Sequence, residues 1–416
     1  VKIYLCDVNM GECILYSSKM QLMVVDCGAR FAQKGGTAGQ TAYRALERGM
    51  QALQKRGTFR EKTLLITHLD AEHYNGVLCL PEETRFARIY LPWYYYKKDA
   101  QGGYETGGLF HRVAWARAFF YLSGHTSKLV QMQQLFLRLP ALLAEGGTVQ
   151  CVAQGDQIRG AGTVFRVLWP HRQAELARTE ALLDRLRVLL ATVLHRMGRE
   201  QDNERYLSVL EQYADCFLQL YDFYAAPSSP EQSAEQILAE RTRREDALRE
   251  AFAALQALPG LRLTRSEAGQ SGYVTRELLH EMDGCSVVFE RPKRLLACGD
   301  ATPDVLRYLN GKGMLSEQYD AVKVPCHGLD AYFSPELPSA GVGLVSNSGE
   351  HGEDQKISEA YREGKIGQMC CTNDSGKRCT LYNSGMPEQC AACKIFTGGQ
   401  DRCVALPKGK EPKITK

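Results

Sequence analysis

No stretch of this 416-residue sequence reaches the roughly 18 uninterrupted apolar residues of a spanning helix, so no membrane segment is expected. Charge of one sign is scarce as well: 51 Lys and Arg stand against 48 Asp and Glu, a formal net charge of +3. That balance gives no broad electrostatic footprint for nucleic acid. Only the tail from Lys408 to Lys416 is locally basic, and it reads as a solvated end. No heptad run is long enough to specify a coiled coil. Cysteine is abundant, but 15 is an odd number, and Val1 to Val8 read as a strand rather than a secretory signal. A complete disulfide framework is therefore not expected, and the expected setting is reducing and cytoplasmic.

What is present is enough apolar sequence, 44%, for a large core, arranged as one big domain with insertions or as two domains. Short strands are expected at 1–8, 13–16 and 22–25, the last closed by Asp26-Cys27-Gly28. A helix over about 40–55 precedes the stretch that organises the chain, Lys62-Thr-Leu-Leu-Ile-Thr-His-Leu-Asp-Ala-Glu-His-Tyr-Asn-Gly76. An apolar strand there ends in Thr67 and opens into His68, Asp70, Glu72 and His73. Four ligand-type side chains at one strand end can converge on one small volume, which is how a metal site is built.

The device recurs. Arg294-Leu-Leu-Ala-Cys-Gly-Asp300 thrusts a carboxylate from the end of an apolar strand, and Tyr319-Asp-Ala-Val-Lys-Val-Pro-Cys-His-Gly328 does the same with His327. Between about 171 and 258 the pattern changes to long helices with Leu182, Leu183, Leu186, Leu189 and Leu190 in one stripe and Leu207, Leu210, Tyr213 and Phe217 in another. This reads as an insertion, serving as a lid, as an oligomerisation face or simply for packing. The run Trp93-Tyr94-Tyr95-Tyr96 suits either stacking on a base or sugar or ordinary packing. Beyond 370, Cys390-Ala-Ala-Cys393 has zinc-knuckle spacing, which Cys371 with Cys379, or either with Cys403, could complete. Reduced thiols or a single bridge would explain the same residues.

The His68 stretch resembles the H-x-H-x-D-H signature of metallo-β-lactamase-fold hydrolases, with Asp70 at the second His and Glu72 at the Asp. A wider ordered series resembles the soluble metallo-β-lactamase domain of the ComEC family of competence (DNA-uptake) proteins. It runs through Leu168-Trp-Pro170, Ser286-Val-Val288, Leu296-Ala-Cys-Gly-Asp300, Asp320 to Gly328 with Cys326 at the first of two histidines, and Val345-Ser-Asn-Ser-Gly349. The resemblance covers about residues 1–91 and 148–372 outside the helical insertion. It implies an α/β fold, a metallo-β-lactamase-like four-layer αβ/βα sandwich with a long helical insertion. The expected boundaries are 1–170 and 259–372 for the two halves, 171–258 for the insertion and 373–416 for a Cys-rich tail.

The resemblance also implies roles. His68 and Asp70 would serve a first metal, Glu72 and His73 a second, Asp300 would bridge them, and His327 would complete the second. Asp70, Glu72 and Asp300 would be the carboxylates of the catalytic centre, with Asp26 in the turn beneath. The first metal lacks an obvious third histidine, for which His171, straight after Leu168-Trp-Pro170, is a weak candidate. Exchange of an imidazole for Asp70 adds a hard oxygen donor, favouring Mn²⁺, Mg²⁺ or Fe²⁺ over a Zn²⁺ pair. Cys326 reads either as a soft ligand or as a buried apolar residue. Three functions follow: a two-metal hydrolase of a phosphodiester in a nucleic acid or small molecule, a non-catalytic binding module on the same fold, and a lactone or thioester hydrolase.

Overall fold

A computed structural model of the chain describes residues 1–8, 10–33, 35–54, 58–94, 108–125, 127–172, 177–225, 232–347, 357–362, 365–372, 402–406 and 413–415. The chain forms two compact units. One comprises Val1–Pro92, Leu139–Pro170 and Asp283–Lys416, the other Trp93–Arg138 and His171–Met282. Among the described residues no helix is long and apolar enough to cross a membrane.

The first unit is an α/β sandwich of two mixed sheets. Its first sheet opens as a meander, β1 (Lys2–Leu5), β2 (Ile14–Ser18) and β3 (Gln21–Val25). Three parallel strands follow, β4 (Glu61–Leu65), β5 (Phe86–Pro92) and β6 (Leu143–Val152). The second sheet repeats the plan. An antiparallel run of β7 (Gln157–Gly160), β8 (Thr163–Trp169), β9 (Val288–Arg291) and β10 (Leu295–Ala297) leads into parallel β11 (Gln318–Lys323), β12 (Ser339–Val345) and β13 (Ile366–Cys371).

Strand alternation sends Ile14 and Tyr16 of β2 inward to meet Phe165 and Phe289 of the second sheet in one shared core. Leu15, between them, faces outward to α1 (Ala38–Leu53), where Gly49 lets the helix approach: a Cβ there would lie 2.7 Å from Leu15 Cδ1. Thr37 and Gln40 close a reciprocal capping box at the start of α1. On the far side of the second sheet, Val288, Leu296 and Val322 pack with Val305, Leu306 and Leu309 of α9 (Pro303–Gly311). The α/β sandwich expected from the sequence is thus present.

Several boundaries differ. Residues 93–138 and 259–282 belong to the helical unit, which is larger than the expected 171–258. The tail is not wholly solvated: β14 (Arg402–Ala405) pairs with β1, and β15 (Lys413–Thr415) pairs with β14 at the edge of the first sheet. Cys371 packs in the core beside α9, whereas Cys379, Cys390 and Cys393 lie outside the described residues.

The second unit contains α3 (Leu109–Leu122), α4 (Ser127–Arg138), α5 (Ala177–Arg196), α6 (Asn203–Ala225), α7 (Ala234–Gln256) and all but the last residue of α8 (Arg265–Asp283). Phe110 stacks on Tyr221 at 4.4 Å and meets Phe217 edge-on at 5.2 Å. The expected Leu182 to Leu190 stripe is buried, as are Leu210, Tyr213 and Phe217. Tyr94 is buried too, its backbone N–H donating to Tyr221 Oη at 2.9 Å. Trp93 carries the guanidinium of Arg172 over its ring. Packing therefore accounts for both aromatics; Tyr95 and Tyr96 lie outside the described residues.

Candidate metal centre

The carboxyl ends of β4, β10, β11 and β12 share one side of the sandwich, the usual place for a site in sheets with parallel strands. After β4 the chain runs through Thr67 and His68 into a single helical turn, α2 (Ala71–Tyr74). Gly28 makes room for that turn, since a Cβ on it would lie 2.3 Å from the Glu72 carbonyl. Cys27 N–H donates to the His73 carbonyl at 2.8 Å. After β10, Gly299 adopts φ +51°, where a Cβ would come within 2.2 Å of Ser286 Oγ. That hydroxyl oxygen accepts from Asp300 N–H at 2.9 Å and so fixes the Asp300 backbone.

Three buried histidines are held alike. Nδ1 of His73 donates to Asp26 Oδ2 at 2.9 Å, and Nδ1 of His327 donates to the Ser346 carbonyl at 2.8 Å. Nδ1 of His68 sits 3.2 Å from Thr67 Oγ1 and 3.3 Å from Ser286 Oγ. Each ring is thereby anchored through Nδ1 and turns Nε2 elsewhere. His68 Nε2 lies 3.5 Å from Asp283 Oδ1, and His73 Nε2 lies 3.5 Å from Asp300 Oδ2. Among the described residues, His73 Nε2, His327 Nε2 and Asp300 Oδ1 are buried without a hydrogen-bond partner. The rings of His68 and His73 are 3.9 Å apart, and those of His73 and His327 are 6.1 Å apart.

Asp26 is the support expected beneath the site. Its carboxylate accepts from Thr67 N–H and Thr67 Oγ1, each at 2.7 Å, besides His73. A carboxylate behind an imidazole fixes the ring and raises its basicity, as in metal sites generally.

The donors fall into three overlapping groups whose ligand atoms lie within 4.8 Å of one another: His68, His73 and Asp300; Asp300, Cys326 and His327; and His68, Asp70 and Asp283. Their charges are strongly perturbed. Burial, then the neighbouring His73, pushes His68 down to about 4. Burial also pushes His327 down to about 4, leaving a neutral imidazole. Burial disfavours charge on His73, but the Asp300 and Asp26 carboxylates outweigh it and hold the imidazolium well above the usual range. Burial likewise opposes ionisation of Asp300, and His73, His68 and Lys323 reverse the balance. Burial, aided by the Asp70 and Asp300 charges, drives Asp283 well above the usual carboxylate range.

The expected residues are thus largely brought together: His68, Asp70, His73, Asp300 and His327 all enter these groups. Glu72 enters none of them; its backbone carbonyl instead accepts from Glu12 N–H at 3.2 Å. His171 enters none either. Two features lie outside the candidate residues read from the sequence. Asp283 closes a helix and looks like any helix-end acid. Lys323 and Glu12 form a buried ion pair at 3.0 Å, with Lys323 Nζ 3.9 Å from Asp300 Oδ1. The available hint for Lys323 was its place in the Asp320 to Gly328 element, directly after the buried pair Ala321-Val322.

The donor set suits divalent metal. The neutral imidazoles of His68 and His327 and the ionised Asp300 are ligand types as they stand, Asp300 Oδ1 and His327 Nε2 being buried atoms that an ion would satisfy, whereas the His73 imidazolium and the Cys326 thiol would each give up a proton to an entering cation. No known protein family matches the chain, and no curated protein or solved structure matches it either.

Proposed function

We propose that the protein is a metal-dependent hydrolase on a metallo-β-lactamase-like sandwich, acting on a phosphodiester of a nucleic acid, a nucleotide or another small molecule. The observation that carries this reading is the common orientation of the three histidines, each fixed through Nδ1 and free to offer Nε2, around Asp300. His68 and Asp70 would hold one cation, His73 and His327 the other, with Asp300 between them. Cations held by these residues would supply Lewis acidity towards a phosphoryl or carbonyl oxygen and a nucleophilic water near neutral pH. The chain's own contribution is positioning: Asp26, Thr67, Ser286 and the Ser346 carbonyl keep the donors in place before any ion arrives.

The phosphodiester rests on the resemblance to the ComEC-type domain; a lactone or thioester would need the same centre. One observation favours a different, metal-free reading. Lys323 is a built-in cation beside Asp300 and Glu12, able to neutralise part of the carboxylate charge in a binding module that has kept the fold.

Elemental analysis of protein purified without chelator, together with hydrolysis of bis-p-nitrophenyl phosphate and single-stranded DNA in Mn²⁺, tests the proposal. Bound metal and metal-dependent turnover are expected. Protein that binds no metal, gains no thermal stability from Mn²⁺ or Zn²⁺ and cleaves no ester would sink it and leave the binding module standing.

A further inference from the structure

The two ends of the centre offer unlike donors. At one, His68 is joined by two carboxylates, Asp70 and Asp283; at the other, Asp300 and His327 are joined by the thiol of Cys326. Asp283 is aimed by more than proximity. Tyr332 Oη donates to its Oδ2 at 2.6 Å, and this turns Oδ1 towards His68 Nε2.

Cys326 is held as firmly. It and His327 both take left-handed backbone angles, φ +34° and +59°, which residues with a Cβ seldom adopt. Cys326 N–H donates to the Gly299 carbonyl, and Asn347 Nδ2 donates to the His327 carbonyl at 2.9 Å. Such a turn persists where its surroundings over-determine it, and outliers of this kind cluster at functional sites. Here the turn brings Sγ of Cys326 and a nitrogen of His327 to the same carboxylate.

Resting on the metal-hydrolase reading, we propose that the centre takes two different cations: a hard one such as Mn²⁺ at His68 and Asp70, with Asp283 as its third donor, and Zn²⁺ at Asp300 and His327 beside His73, with Cys326 as its thiolate donor. Asp283 then stands where the first metal lacked a third histidine. Oxygen-rich donors suit Mn²⁺, whereas thiolate selects zinc. The Cys326 thiol gives its proton to solvent as the zinc ion enters, because only the thiolate ligates.

The full chain, equilibrated in excess Mn²⁺ with limiting Zn²⁺ and then desalted, is assayed for both metals beside Asp283→Asn and Cys326→Ser. Melting curves confirm that each variant folds. Parent minus variant removes any zinc held by the tail cysteines. Asp283→Asn is expected to lose about one Mn²⁺ per chain and keep its zinc. Cys326→Ser is expected to lose about one zinc, keep its Mn²⁺, and lose a near-ultraviolet thiolate band when cobalt replaces zinc. The inference is overturned, with the hydrolase reading intact, if zinc displaces all Mn²⁺ from the parent. It is also overturned if Asp283→Asn keeps its Mn²⁺, or if Cys326→Ser keeps both zinc and band. A parent that takes up neither metal overturns both readings.

Discussion

Nδ1 of His73 donates to Asp26 at 2.9 Å while Nε2 of the same ring lies 3.5 Å from Asp300, so one imidazole ties the turn after β3 to the end of β10. The two carboxylates face each other across a single buried ring. Whatever occupies the site inherits a geometry set by Asp26, which itself offers nothing to a ligand beyond His73.

Asp26→Ala should therefore cost both stability and metal affinity. It strands His73 Nδ1 and the Thr67 hydroxyl and N–H in the interior, a loss on the order of 3 to 5 kcal/mol for breaking a buried charged network. Loss of the carboxylate behind a ligating histidine weakens metal binding by roughly 10- to 100-fold. Asp26→Asn keeps an acceptor for Nδ1 and should recover part of both. Urea unfolding and Mn²⁺ titration of the two variants measure this; an alanine variant that binds Mn²⁺ as the parent does would show that Asp26 plays no part in orienting the ring.

Asp70 and Glu72 separate what the motif implies from what the fold places. Asp70 belongs to a group with His68 and Asp283, and Glu72 belongs to none. Asp70→Asn should reduce bound metal, while Glu72→Gln should leave metal content near that of the parent. Elemental analysis decides, and equal losses in the two variants would mean that Glu72 turns into the site when metal enters.

How much of this was legible beforehand depended on the kind of signal. His68, Asp300 and His327 each follow a strand that ends in a run of buried residues, so an apolar run and its abrupt end mark them. Asp283 was hidden because an acid at a helix end has an ordinary explanation, and its role arises only from Tyr332 and His68, far away in sequence. The helical unit is larger than 171–258 because α3 and α4 join it through packing between residues far apart in sequence, such as Phe110 on Phe217 and Tyr221, which no local pattern carries. The pairing of β14 with β1 joins opposite ends of the chain, and no local pattern carries it.

On the proposed metal-hydrolase reading, Asp300→Asn should abolish metal binding and hydrolysis, because a neutral amide would replace the charged carboxylate that belongs to two of the three donor groups. Its effect on the metal-free protein is a sharper test. Repulsion among the acids of the pocket alone would make the amide stabilising. The structure reverses the sign: the His73 imidazolium and the Lys323 ammonium both face Asp300, and neutralising it leaves two buried cations without that partner. The variant should melt below the parent in chelator and gain nothing from Mn²⁺. A rise in melting temperature in chelator would mean that carboxylate repulsion dominates.

Asp222, on α6 in the helical unit, gives a prediction independent of metal. Its Oδ1 is buried and, among the described residues, has no hydrogen-bond partner. Burial pushes its carboxyl up to about 7, with Arg244 opposing. The unfolded chain releases this proton near pH 4, about three pH units earlier. The native state therefore binds more protons than the unfolded state between those limits, and stability falls as pH rises from about 4 through about 7. Asp222→Asn keeps the side chain neutral and removes that fall. Parent and variant should unfold at similar urea concentrations at pH 4. At pH 8 the variant should be more stable by roughly 1 to 2 kcal/mol, a figure discounted for the partial exposure of the side chain. A difference between the two proteins that stays constant across that range would show that Asp222 ionises normally and that Arg244 offsets its burial.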